Sequence, residues 1–141
     1  MAHPPITTSV STVQLLEGDV LDWTYHHGAV VDLTAAEEEV TAIDDYLVQA
    51  GVRHVRLRID IRPIRSISRQ ARALFSSDGI SEKYVIALGL VIKGPVSRMI
   101  GNFYLNWHRP PHPTRLFNEL EPATTWLASQ TRDAEGALAP S

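Results

Sequence analysis

Two strand-like stretches of this chain carry opposite hydropathy patterns, and the contrast restricts the folds open to it. In residues 52–62, Val55, Leu57, Ile59 and Ile61 are apolar, with His54, Arg56, Arg58, Asp60 and Arg62 between them. In residues 84–92 the apolar character is almost unbroken. Strict alternation marks a strand with one dry and one wet face, whereas a continuous run marks a strand central in its sheet or covered on both sides. Helical patterns precede, separate and follow the two stretches. The expected class is therefore α/β: a mixed sheet of about five strands with helices mainly on one face and an amino-terminal β-hairpin.

The remaining elements follow from periodicity and punctuation. Residues 12–16 and 20–25 read as strands around Glu17-Gly18-Asp19, with Leu21, Trp23 and Tyr25 on one face. Thr34 opens the clearest helix, because Thr34 and Glu37 have capping-box spacing. Ala36, Val40, Ile43, Leu47 and Ala50 keep the helical interval, and Gly51 supplies the stop. The acidic run Glu37, Glu38 and Glu39 is assigned to the solvated side of that helix. After Pro63, Ser66 or Ser68 caps a second helix that turns Ala71, Leu74 and Phe75 inward and Arg69 and Arg72 outward. Asp78-Gly79 reads as a turn, and Pro95 opens a third helix with Val96, Met99, Ile100 and Phe103 as its buried stripe. A Pro-rich connector at 108–113 leads to a short strand, and Asn118 caps a last helix carrying Leu120, Ala123, Trp126 and Leu127. Parallel strands joined by helices cross over right-handedly. Strands added in order would put every helix on one side and leave Arg56, Arg58 and Asp60 bare on the other.

Bulk properties narrow the function classes. The 141 residues are expected to form one domain over 12–129, with flexible termini at 1–11 and 130–141. A net charge of −3 argues against nucleic-acid binding. The absence of cysteine excludes disulfides, thiolate metal sites and a thiol nucleophile. There is no signal-like amino terminus and no apolar run near the ~20 residues of a membrane helix, so a cytoplasmic protein without membrane insertion is expected.

Five segments carry a resemblance to a known superfamily: Leu57-Arg-Ile-Asp60, Ile67-Ser-Arg-Gln-Ala-Arg72, Ser97-Arg-Met-Ile-Gly-Asn-Phe103, Pro113-Thr-Arg-Leu-Phe117 and Ala123-Thr-Thr-Trp-Leu127. With the element order, they resemble the SpoIIAA-like superfamily, which includes STAS domains, and more narrowly a group of small uncharacterised bacterial proteins. The similarity covers about two thirds of the chain. It implies a right-handed β-α superhelix and a non-enzymatic module that docks a protein partner, including a second copy of itself as homodimer or higher oligomer. It also implies a strand ending in Asp that leads to an Asp-Ser pair at the next helix start, the Ser being phosphorylated by a partner kinase. Asp60 matches the strand Asp, but Ser68-Arg69 stands where the pair is expected.

Two loops at the carboxyl ends of parallel strands are the natural place for a ligand. Each opens a helix; one carries Ser66, Ser68 and Arg69, the other Ser97 and Arg98. Together they form a candidate site for a carboxylate or phosphate, although helix capping and ion pairing account for the same residue types. Trp23, Arg56 and Arg58 are the candidate interface, since aromatic residues and arginine concentrate in interface cores. No catalytic residue is assigned, because no nucleophile elbow, phosphate loop or positioned base is present. No cofactor is implied. No metal is expected either: Pro110 and Pro111 spoil the helical spacing of His108 and His112, and the adjacent His26 and His27 would point apart on a strand. The alternative to a docking module is a carrier or sensor for an anionic or lipid-like ligand, with an apolar crevice beside Phe103 and Trp107. A pocket of roughly 300 Å³ beside Ser68 and Arg98 would favour it.

Overall fold

A computed structural model describes residues 3–77, 83–107 and 112–130. In chain order the elements are β1 (Ile6–Thr7), β2 (Ser11–Leu16), β3 (Val20–Tyr25), β4 (Val30–Val31), α1 (Leu33–Ala50), β5 (Val55–Asp60), β6 (Ser66–Ile67), α2 (Arg69–Ser77), β7 (Val85–Val91), α3 (Gly94–Trp107), β8 (Thr114–Phe117) and α4 (Leu120–Ala128). The main sheet has six strands in the order β1-β2-β3-β5-β7-β8, and β4 pairs with β6 in a small second sheet. The first three strands are antiparallel, and β3, β5, β7 and β8 are parallel. The hairpin turn between β2 and β3 has left-handed backbone at Gly18 (φ 76°) and Asp19 (φ 56°). Ile6 and Thr7, placed above in the flexible lead-in, pair with β2 as an edge strand. The expected turn at Asp78-Gly79, and His108 with most of its connector, lie outside the described residues.

Register divides the sheet into two faces. Leu21, Leu57 and Leu88 align on one face, as do Trp23, Ile59 and Leu90. This face holds most of the core, and α1, α2 and α3 cover it. The opposite face aligns Asp22 with Arg58 and Gly89, and Arg56 with Ala87.

That second face is not bare. Helix α4 packs on β5, β7 and β8, with Ala123 and Leu127 fully buried over Gly89. A Cβ placed on Gly89 would stand 3.5 Å from the Ala123 Cβ, an ordinary van der Waals contact, so the helix lies directly on β7. The arginines are its fastenings. Arg58 Nη1 donates to Thr124 Oγ1 at 2.6 Å, and its Nη2 pairs with Asp22 at 2.7 Å. Arg56 Nε donates to the Gln130 carbonyl and its Nη1 to the Gly18 carbonyl, both at 2.8 Å. Helices do lie mainly on one side, yet the alternation in β5 reflects a face where polar side chains are satisfied under a helix. The same helix explains why β7 is apolar on both sides.

Two local expectations change as well. Helix α1 is capped by Asp32, not Thr34: Asp32 is extended and its Oδ1 accepts from Ala35 N at 2.8 Å. Gly51 closes the helix in the left-handed region (φ 70°), as its lack of a Cβ allows. Helix α3 buries Ser97, Ile100 and Gly101, while Val96 and Met99 are 38% and 51% exposed. Gly101 sets that rotation, because a Cβ there would meet Leu116 Cδ2 at 3.0 Å.

Candidate functional site

Strands β5 and β7 are neighbours, so the two loops after them open on the same edge of the sheet. Their hydroxyl groups are already engaged. Ser68 Oγ accepts from Ala71 N at 3.0 Å and caps α2. Ser97, 1% exposed, accepts from Lys93 N and donates to the Lys93 carbonyl, both at 2.7 Å. Ser66 is exposed on β6, and Arg69 and Arg98 are exposed at the starts of α2 and α3. Ser68 and Ser97 thus shape the loops, while Ser66, Arg69 and Arg98 face solvent there.

A better-formed cavity lies one helical turn deeper, between α2, α3 and the core face of the sheet. Its floor is Leu57, Ile59, Leu90, Trp23 and Tyr25; its walls include Phe75 from α2 and Ile100, Phe103 and Tyr104 from α3. Its volume is about 70 Å³. Two further clefts of 390 and 310 Å³ adjoin it, and all three share Arg72 and Phe103. Helix α2 packs along α1 and meets α3 through Arg72 over Phe103. The cavity lies beside Arg72, Arg69 lines one adjoining cleft, and neither Ser68 nor Arg98 lines any of the three. The side chain of Trp107 lies outside the described residues.

Arg72 governs the entrance. Its guanidinium carbon sits 4.8 Å from the Phe103 ring centroid, a favourable cation–π distance. Its Nε is buried and, among the described residues, has no hydrogen-bond partner. Among the described residues the side chain also forms no ion pair. Buried polar groups are nearly always satisfied, so an orphaned guanidinium nitrogen at a cavity mouth calls for an acceptor.

Behind the inner wall is a group absent from the sequence-based expectations. Glu39 is fully buried, with Ser11 Oγ donating to its Oε2 at 2.6 Å, Trp23 Nε1 to Oε2 at 3.0 Å and Tyr25 Oη to Oε1 at 3.1 Å. Burial pushes its carboxyl up from 4.5 to about 7, against the opposing effect of the three hydrogen bonds. Burial, then the neighbouring carboxylate, raises the Tyr25 hydroxyl, which therefore stays a donor. The signal was present: Glu39 falls three residues after Ala36 and four before Ile43, on the buried stripe and not opposite it.

Trp23 is 5% exposed on the core face, so the fold does not bring it together with Arg56 and Arg58, which lie on the other. Among the described residues no three His, Asp or Glu side chains cluster as metal ligands. His26 shares a hydrogen bond with Thr12, and His112 is buried, which lowers its pKa.

The family model for a domain of unknown function, DUF7793, matches residues 14–131. The chain belongs to this family. A crystal structure of an uncharacterised protein of the DUF3478 family from Shewanella loihica PV-4, described as having a SpoIIAA-like fold, superposes with a TM-score of 0.62 at 16% identity. The match covers 86% of this chain and 98% of that one, and establishes the SpoIIAA-like fold. No curated protein matches the chain significantly.

Within this DUF7793 domain the crevice offers apolar surface, aromatic edges and one cation. None of the described residues lining it is His, Asp, Glu or Ser. Such a lining can desolvate and orient a ligand, and it presents no base beside a nucleophile. Among the described residues no helix is long and apolar enough to cross a membrane.

Proposed function

We propose that the domain binds a small amphiphilic anion, apolar body in the α2–α3 crevice and anionic group on Arg72, and acts on it as a carrier or sensor without chemical conversion. The observation that carries this reading is the buried, unpartnered Arg72 Nε at the mouth of an aromatic-lined cavity. A carboxylate there would complete the hydrogen bonding of the guanidinium while its tail displaced water from apolar walls. The alternative of a protein-docking module on the Arg56 and Arg58 face has less support, because both side chains are spent on holding α4.

Native mass spectrometry and calorimetry with a panel of aryl and medium-chain carboxylates test the idea. A charged hydrogen bond contributes about 1.5–3 kcal/mol, so Arg72→Met should weaken binding by about 10- to 100-fold. Matching neutral alcohols should bind the wild type and the variant alike. Absence of binding across the panel, or equal carboxylate affinity in both proteins, would refute the proposal.

A further inference from the structure

We infer that Glu39 is a proton-controlled positioning residue, whose ionisation resets Trp23 and Tyr25 and thereby the inner wall of the crevice. The link to the crevice rests on the reading above; the proton site itself does not. Geometry carries the inference. The carboxyl is fully buried, and both rings that donate to it, Trp23 and Tyr25, line the cavity. The two rings lie 5.6 Å apart and nearly stacked, and Trp23 also meets Phe75 edge-on at 5.8 Å, so one ring cannot shift alone.

Among the described residues no cation pairs with Glu39. From β2 it faces Ser11, itself hydrogen-bonded to Thr8; from β3 it faces Trp23 and Tyr25. On its own helix Glu38 adds like charge. Arg72 of α2 borders the same cavity but makes no ion pair with Glu39. Ionised, Glu39 is an acceptor only and draws all three donors; protonated, it must turn one of those contacts around and donate. The shift of its carboxyl to about 7 places this exchange near neutral pH. An anion in the crevice would meet an added negative charge behind the wall at higher pH, so occupancy and protonation should favour one another reciprocally.

The primary test needs no ligand. In ¹⁵N-labelled protein the Trp23 indole N–H resonance, assigned by its loss in Trp23→Phe, should titrate with a midpoint near 7. Glu39→Gln should abolish that titration, and Tyr25→Phe, which removes a donor to the ionised form, should raise the midpoint. If Glu39→Gln fails to fold, the wild-type titration and Tyr25→Phe still decide. The second test uses 1-anilinonaphthalene-8-sulfonate, an anion with an apolar body. Its affinity should fall roughly three- to tenfold across the same pH range, and at saturation the probe should raise the Trp23 midpoint by half to one pH unit. A flat Trp23 resonance, or one that still titrates in Glu39→Gln, overturns the inference. Titration with pH-independent probe binding overturns the coupling. Failure of the probe to bind at either pH counts against the crevice reading, and the proton site then stands or falls on the Trp23 titration.

Discussion

Leu127→Ala distinguishes a sheet closed on both faces from one open on its arginine side. Leu127 has no exposed surface, and its Cδ1 would stand 3.7 Å from a Cβ placed on Gly89. Truncating a fully buried leucine removes its transfer free energy and leaves a cavity, costing about 2–5 kcal/mol. Because Arg58 holds α4 at Thr124, in its middle, and Arg56 holds Gln130 just past its carboxyl end, collapse onto the cavity is restricted, and about 3 kcal/mol is expected. For a domain of this size that lowers the melting temperature by about 10 °C. Urea unfolding followed by circular dichroism measures the loss, with an unchanged m-value as the sign that the folded state is intact. Gly89→Ala is the companion: its methyl would meet Ala123 and Phe117 at 3.5 Å, an ordinary contact, so a change within about 1 kcal/mol is expected. If Leu127→Ala cost under ~0.5 kcal/mol, as for an exposed site, the packing of α4 described above would be wrong.

Two further outcomes follow. The Glu39 carboxyl, raised from 4.5 to about 7, binds its proton more tightly in the folded state, so its contribution is fully present below pH 4.5 and lost as pH rises through about 7. The difference in stability between wild type and Glu39→Gln should therefore swing by roughly 3 kcal/mol in favour of the variant over that window; parallel pH profiles in chemical denaturation would contradict it. Asp32→Ala should cost about 1 kcal/mol and Thr34→Ala nearly nothing, since the cap bond to Ala35 N comes from Asp32; the reverse order would restore the capping box.

Patterns that repeat along the chain were legible. Alternation in β5, unbroken apolar character in β7 and the three- and four-residue spacing of α1 predicted the parallel sheet, its helices and their order. What escaped was decided by single contacts between distant segments. The polar side of β5 looks solvated in sequence because Arg56 and Arg58 are charged, yet their partners, Gly18, Asp22, Thr124 and Gln130, come from three other parts of the chain. Met99 and Val96 read as buried because they are apolar, but Gly101 against Leu116 turns α3 by another face. For the site, composition pointed to serines and arginines at helix starts, where the Ser68 and Ser97 hydroxyls are consumed by local backbone bonds. Arg72 was noticed as outward-facing, but its cavity is lined from β3, β5, β7, α2 and α3 together, which no local pattern encodes. Glu39 was hidden by membership of an acidic run, although its spacing alone sets it on the buried stripe.

The two faces of the sheet are closed by opposite means, and that difference places the site. On the arginine side, α4 sits directly on β7 at Gly89. On the core side, Trp23, Tyr25, Phe75 and Phe103 line a crevice that their rings do not fill. Were it sealed and empty, an apolar crevice of about 70 Å³ would cost at most about 2 kcal/mol at the rate measured for leucine-deletion cavities. The orphaned Arg72 nitrogen adds about 1–3 kcal/mol. A ligand present at a hundred times its dissociation constant returns about 2.7 kcal/mol, the same order as what the empty crevice forgoes. On the reading proposed above, the crevice and the cation at its entrance stay open because a ligand supplies the missing contacts.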